Sequence, residues 1–460
     1  MTIDNPPRLT FTAPWDPVVV RRGDALGLRA LTDQFADAVA PDLSNRIQDG
    51  RWVTILAWSL ARSHEAFHAS GGRSVATRLE QRQRYAWLRP LELMWIARTI
   101  ALADDWDLRA LNGRRRVRPW YQEDRMKSDR FGMSEQQFRA YRQTGMYGGY
   151  RLAFRKWPGM TLAGDGWTPG PGTHELARWL DDRLRTAGLP WRLHETDGDD
   201  DLSNTAKRGK GKECTWWLRK WSNFDQGTNK SDPQTLPRPR KEFSKLPEAL
   251  LLDPLVFGAD QHGSIRRSVA KAITKSNAAT HIEACEYLAA AFAHDPVIEA
   301  LPRFSRLADA GMEAMDLIAR VLGSNPFVQL VDIAKHPDAK AVSKTLFDAA
   351  RAWEKGVNPQ LRHIDSAVRF AGAITSAKPA ECFRALLNHH ESYGGGLRWF
   401  VQKDDRVEPR SPASLGAARY RFRLWTLCRL AVQCGVVRTT PLAIRGDLST
   451  NDDGFEDGDD

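Results

Sequence analysis

The chain has 460 residues, 42% of them apolar and 27% charged, so it can bury a sizeable core and is not a wholly disordered polymer. Its 67 basic and 57 acidic side chains leave a net charge of +10. No apolar run reaches the roughly 18 residues a spanning helix needs, so no membrane partner is expected. The first residues lack the basic-then-apolar order of a secretory signal, so the expected location is cytoplasmic.

The charge is unevenly spread. Residues 451–460 carry six acids and no base, so residues 1–450 stand at +16, six above the whole chain. A body this basic favours a polyanion such as nucleic acid, and the acidic tail reads as a disordered solubiliser. The five cysteines, Cys214, Cys285, Cys382, Cys428 and Cys434, contain no CxxC pair, so they predict buried thiols in a reducing compartment and no structural zinc.

Taken in order, the elements are mainly helical. Asp24 is placed to cap a helix carrying Leu26, Leu31 and Phe35, and Ser44 to about His68 repeats apolar residues at helical spacing. Pro90 is set to open a helix over Leu91–Ala97. Residues 197–245 run from an acidic cluster through Lys207, Arg208, Lys210 and Lys212 to a Pro-rich basic end, and read as a basic Pro/Gly-rich linker or surface loop. Helical patterns return at 264–275, 280–294, 303–322, 339–354, 363–375, 379–390 and 419–434. Between the last two, 397–401 and 406–408 flank Lys403-Asp404-Asp405 as a short hairpin. The expected architecture is therefore mainly α. A helical domain spans 1–196, a linker 197–245, a second helical domain 246–450, and a tail 451–460.

The segment from Ser134 to Arg185 is the most informative. Ser134 and Gln137 form a capping-box pattern ahead of a helix over 136–142 that stops near Gly145. A second helix follows over 150–157 and ends at Pro158-Gly159. Two short runs around Gly164-Asp165-Gly166 predict a hairpin, and Thr173 is placed to cap a third helix. Helix, helix, two-stranded wing, helix is the order of a winged helix-turn-helix. At about 130–190 this block resembles the winged-helix-like module of uncharacterised bacterial proteins from anti-phage defence and mobile loci. The resemblance covers about 50 residues. It implies a second helix in the major groove, a wing along the backbone, and other protein subunits of a defence complex as partners.

The cations here suit phosphate contact: Arg139, Arg142, Arg151, Arg155 and Lys156 within the block, and Arg114, Arg115, Arg116 and Arg118 beside Trp120 and Tyr121 just upstream. With Lys207, Arg208, Lys210 and Lys212 they make up the expected nucleic-acid-binding set, double-stranded DNA being the expected ligand. Arg267, Lys271 and Lys275 share one helix side and read as a solvated face.

Two other function classes compete. His64-Glu65-Ala66-Phe67-His68 spells HExxH, the pattern of a zinc-dependent hydrolase in which two histidines hold the metal and the glutamate activates its water. Against it, Arg62 and Ser63 precede the motif, no HxxGxxH extension follows and no third ligand is evident. Alternatively, the helical lobes serve as a protein-interaction scaffold for a larger effector. No P-loop and no GxSxG elbow is present, and His389-His390-Glu391 reads as a helix-end feature. The expected molecule is a non-enzymatic nucleic-acid-binding or adaptor subunit, with no catalytic residue, no bound metal and no cofactor.

Overall fold

The computed structural model describes residues 24–47, 49–69, 84–85, 87–89, 91–92, 95–96, 145–186, 247–356, 361–378, 381–392, 398–410 and 421–445. These are mainly helical, with one small antiparallel sheet. They fall into two compact units, the first within Ser44–Asp260 plus Gln433–Gly435, the second within Val20–Leu43, Gln261–Val432 and Val436–Asp460. The expected linker 197–245 and tail 451–460 lie outside the described residues.

In the first unit the organising helix is α2 (Gly50–Ala69), which packs along α4 (Pro171–Thr186) and touches α3 (Met146–Lys156) and α5 (Pro247–Phe257). (The helix α1, Arg29–Val39, belongs to the second unit.) Residues 50–61 of α2 are all buried, polar ones included. Their hydroxyls are satisfied within the helix: Ser59 donates to the Ile55 carbonyl at 2.8 Å and Ser63 to Leu60 at 3.0 Å. Trp58 donates from Nε1 to Asp181 of α4 at 2.6 Å. Because α5 packs on α2 and α4, the division between units comes after Asp260, downstream of the Pro-rich stretch.

Deep in this unit lies an ion pair. Arg51 Nη2 is 2.5 Å from Glu248 Oε2, with side-chain exposures of 2% and 0%. The Arg51 guanidinium also sits over the Trp179 ring, 5.4 Å from its centre. Burial pulls the arginine's pKa down and pushes the glutamate's up, while each partner's charge opposes the other's shift. A pair this dry is costly to break, because either group alone would be an uncompensated interior charge.

The helix α3 starts at Met146, four residues earlier than Tyr150, where the pattern places it, and takes Gly148 and Gly149 into its first turns. Tertiary anchoring overrides the poor propensity of glycine here. Tyr147 and Tyr150 are wholly buried. The Tyr147 hydroxyl donates to the Gly166 carbonyl, and the Asp49 N–H donates to the Tyr150 hydroxyl at 3.0 Å.

The second unit is built on α8 (Pro296–Leu322), about 40 Å long. Asp295 caps it by accepting from the Val297 and Ile298 N–H groups, and Pro296 occupies the first turn. The expected start near Arg303 is late because Pro302 looks like a stop. Inside the helix it removes one backbone donor, while its buried neighbours Ile298 and Leu301 hold the early turns. Around α8 pack α7 (His281–Ala291), which is closed by a Thr280/Glu283 capping box, and α10 (Ala339–Lys355). Also in this unit are α1, α6 (Gln261–Ser276), the short α9 (Leu330–Lys335), α11 (Ile364–Thr375), α12 (Cys382–Ser392), α13 (Leu424–Gln433) and α14 (Leu442–Arg445). Gln433 alone of α13 groups with the first unit. The core is aromatic: Phe304 lies 4.8 Å from Phe35, 6.1 Å from Phe422 and 5.9 Å from Trp353, centre to centre.

The expected hairpin is present as β2 (Phe400–Lys403) and β3 (Arg406–Pro409), with β1 (Val328–Gln329) on the far side of β3. Asp404 takes the tight turn at φ 54°, a conformation aspartate tolerates. Cys285, Cys382 and Cys428 are buried, and burial pushes each thiol's pKa up.

The adjacent His389 and His390 at the end of α12 are structural ties. His389 Nε2 donates to the Leu26 carbonyl at 3.1 Å and His390 Nδ1 to Ala25 at 2.8 Å. The other His390 nitrogen accepts from the Trp399 N–H at 3.0 Å, which requires a neutral ring. Burial lowers both pKa values below the ordinary 6.5. The unfolded chain therefore binds more protons than the folded one below pH 6.5, so this stability is complete above that pH and is lost progressively as the pH falls from it through the lower folded values. Urea unfolding at pH 7.5 and 5.5 should show a lower free energy at 5.5. The His389→Gln/His390→Gln variant should show a smaller pH difference than the wild type, and an equal difference would contradict the assignment.

Candidate nucleic-acid interface

The outward side of α3 carries the cations. Met146, Tyr147, Tyr150, Ala153 and Phe154 point into the core, leaving Arg151 half-buried and Arg155 and Lys156 exposed. Both exposed cations lie in the last turn, where the helix dipole favours positive charge. Neither holds an ion pair with any described residue.

The chain then enters a tight loop, 161–169. The expected two-stranded wing is reduced to one bridge, between Thr161 and Pro169. The reason is Asp165. Its carboxylate accepts from the Trp167 N–H at 2.6 Å, the Thr168 N–H at 2.9 Å and the Thr168 hydroxyl at 2.6 Å. That draws the chain into a compact turn where an Asp-Gly hairpin would extend. Thr161 closes the base by donating to the Phe154 carbonyl at 2.7 Å and accepting from the Gly166 N–H at 3.1 Å.

This loop packs against the Arg155 stem. Gly166 adopts φ +76°, and a Cβ placed there would lie 2.9 Å from Arg155 Cγ and 3.7 Å from Arg151 Nε. The arginine stem thus lies across the glycine, and a larger residue there would displace it. From the other side Arg84 donates to the Thr168 hydroxyl at 3.1 Å. On α4, Arg178 is also exposed and without an ion pair among the described residues, and its charge together with that of Arg62 helps depress the His174 pKa below 6.5, burial being the larger cause. Arg178 is an addition to the expected set, while Arg84, 6% exposed, braces the loop from within the fold. Arg178 stands four residues after His174, a same-side spacing that the sequence displays, whereas the role of Arg84 depends on tertiary contact.

Of the expected residues, Arg151, Arg155 and Lys156 are brought together at one helix end. Arg114, Arg115, Arg116, Arg118, Arg139, Arg142, Lys207, Arg208, Lys210 and Lys212 lie outside the described residues, as does the expected first helix at 136–142.

The HExxH residues occupy the last turns of α2. The His64 and His68 rings are 4.3 Å apart, edge to face. Burial first, then the charges of His68, Arg84 and His174, hold the His64 pKa down at about 4. Glu65 is gripped by Arg62, whose Nη1 lies 2.8 and 2.6 Å from its two oxygens, while Arg62 Nη2 reaches Asp181 at 3.1 Å. Arg62 therefore competes for the carboxylate that would take a proton from water. Among the described residues no three His, Cys, Asp or Glu side chains converge in a manner that could hold a metal ion, and no helix is long and apolar enough to cross a membrane.

Comparison with protein families, curated sequences and solved structures returns no match to this chain.

Proposed function

We propose that the protein is a non-enzymatic nucleic-acid-binding subunit that holds double-stranded DNA, with α3 and the 161–169 loop acting as the recognition helix and abbreviated wing of a winged helix-turn-helix. The resemblance of residues 130–190 extends the proposal to a bacterial anti-phage defence setting with other protein subunits. The observation that carries the reading is the exposed end of α3. Arg155 and Lys156 stand there without acidic partners among the described residues, and the Arg155 stem packs over Gly166. Partner-free cations at a fixed position release counterions from phosphate without first breaking an internal ion pair.

The test is anisotropy titration of a fluorescent 25-base-pair duplex across a salt series. Arg155→Ala/Lys156→Ala should weaken binding and reduce the slope of log affinity against log salt by about 2, near one unit for each phosphate no longer neutralised. Unchanged affinity and slope would sink the assignment of this helix end.

A further inference from the structure

The second unit displays cations in a pattern the first does not. On its surface some exposed basic side chains meet acids: Arg306 pairs with Glu286, Arg384 with Asp405 at 2.5 Å and Lys403 with Glu408 at 2.6 Å. Others, such as Lys271, Lys275 and Lys335, are exposed and form no ion pair among the described residues. The helix α10 gathers four of the second kind on one side. Its buried face is Ala339, Val342, Leu346, Ala349, Ala350 and Trp353. Nearly opposite, Lys340, Lys344, Arg351 and Lys355 are all exposed. At 100° per residue these four fall within about 60° of arc and run about 22 Å along the helix. None forms an ion pair or hydrogen bond with an acid among the described residues. Arg351 instead lies over the Phe347 ring, 5.9 Å from its centre, in the middle of the run.

Of the α10 acids, Glu354 is turned toward α11, accepting from the Thr375 hydroxyl at 3.0 Å. Asp348 stands one turn beyond Lys344 and makes no ion pair with it among the described residues. Asp348 lies on this side between Lys344 and Arg351, so four cations face one acid and the side keeps a net positive potential.

We infer that the stripe formed by Lys340, Lys344, Arg351 and Lys355 is a second phosphate-binding track, taking the backbone of duplex DNA. Its length matches roughly six nucleotides of one strand, at 3.4 Å of axis per phosphate. The contacts are to phosphate alone and carry no base information. The inference rests on the nucleic-acid reading above, and adds a contact surface in a different unit.

The experiment uses the full chain and the same 25-base-pair duplex. Replacing all four residues by alanine leaves the core untouched, because each is exposed. A control variant removes four other exposed cations of this unit, Lys271→Ala, Lys275→Ala, Arg362→Ala and Arg438→Ala. The expected result is a salt slope lower by about 3 for the stripe variant and by less than about 1 for the control. An unchanged slope, or an equal fall in the control, overturns the track. If the wild type binds duplex and Arg155→Ala/Lys156→Ala weakens it while the stripe variant does not, the track alone is removed. If the wild type binds no duplex, both readings are removed.

Discussion

Glu248→Leu is expected to lower the stability of the first unit by about 3–5 kcal/mol, the range for leaving one member of a buried pair uncompensated. Arg51 has no route to solvent in the native fold, since its side chain is 2% exposed. With the carboxylate gone it keeps Asp49 as the nearest acid and the Trp179 face as a cation partner, neither of which replaces a contact at 2.5 Å. The double variant Arg51→Met/Glu248→Leu should recover most of the loss, because an apolar pair of similar volume requires no desolvation. Urea unfolding followed by tryptophan fluorescence measures both. Equal destabilisation by the single and double variants would mean that shape, and not charge, is what the site requires.

Phe304→Ala is expected to cost the second unit about 3–5 kcal/mol. Its ring is in contact range of Phe35 on α1, Trp353 on α10 and Phe422 ahead of α13. Truncation therefore opens a cavity where three elements meet, and the long helix α8 cannot collapse into it without moving all three. Phe304→Leu, which keeps most of the volume, should cost clearly less. If the alanine variant unfolded within about 1 kcal/mol of wild type, the aromatic cluster would not be the core of this unit.

What could be read from the sequence was local. Helix α10 is expected over 339–354 and observed over Ala339–Lys355 because its apolar positions repeat cleanly. The β2–β3 hairpin follows from two short β-prone runs around a two-aspartate turn, and Asp24 accepts from the Leu28 and Arg29 N–H groups just ahead of α1. What could not be read depends on residues distant in sequence. The partner of Arg51 is 197 positions away. The acid held by Arg62 besides Glu65 is Asp181 on another helix, so the environment of the HExxH motif lay outside the motif itself. The 161–169 loop misled because Asp-Gly has two outcomes. It turns a hairpin when the flanking strands pair, and a compact loop when the aspartate gathers the backbone donors itself. The α10 cations were present in the sequence, but their lack of partners is a property of the folded surface.

The central claim is that exposed, partner-free cations on helices hold a phosphate polymer. Its most direct measurement is the affinity of the intact protein for one duplex from 50 to 300 mM salt. With two contacts at the end of α3, log affinity is predicted to fall against log salt with a slope of about −2 or steeper. Absence of binding at 50 mM salt, or an affinity that salt leaves unchanged, would contradict it.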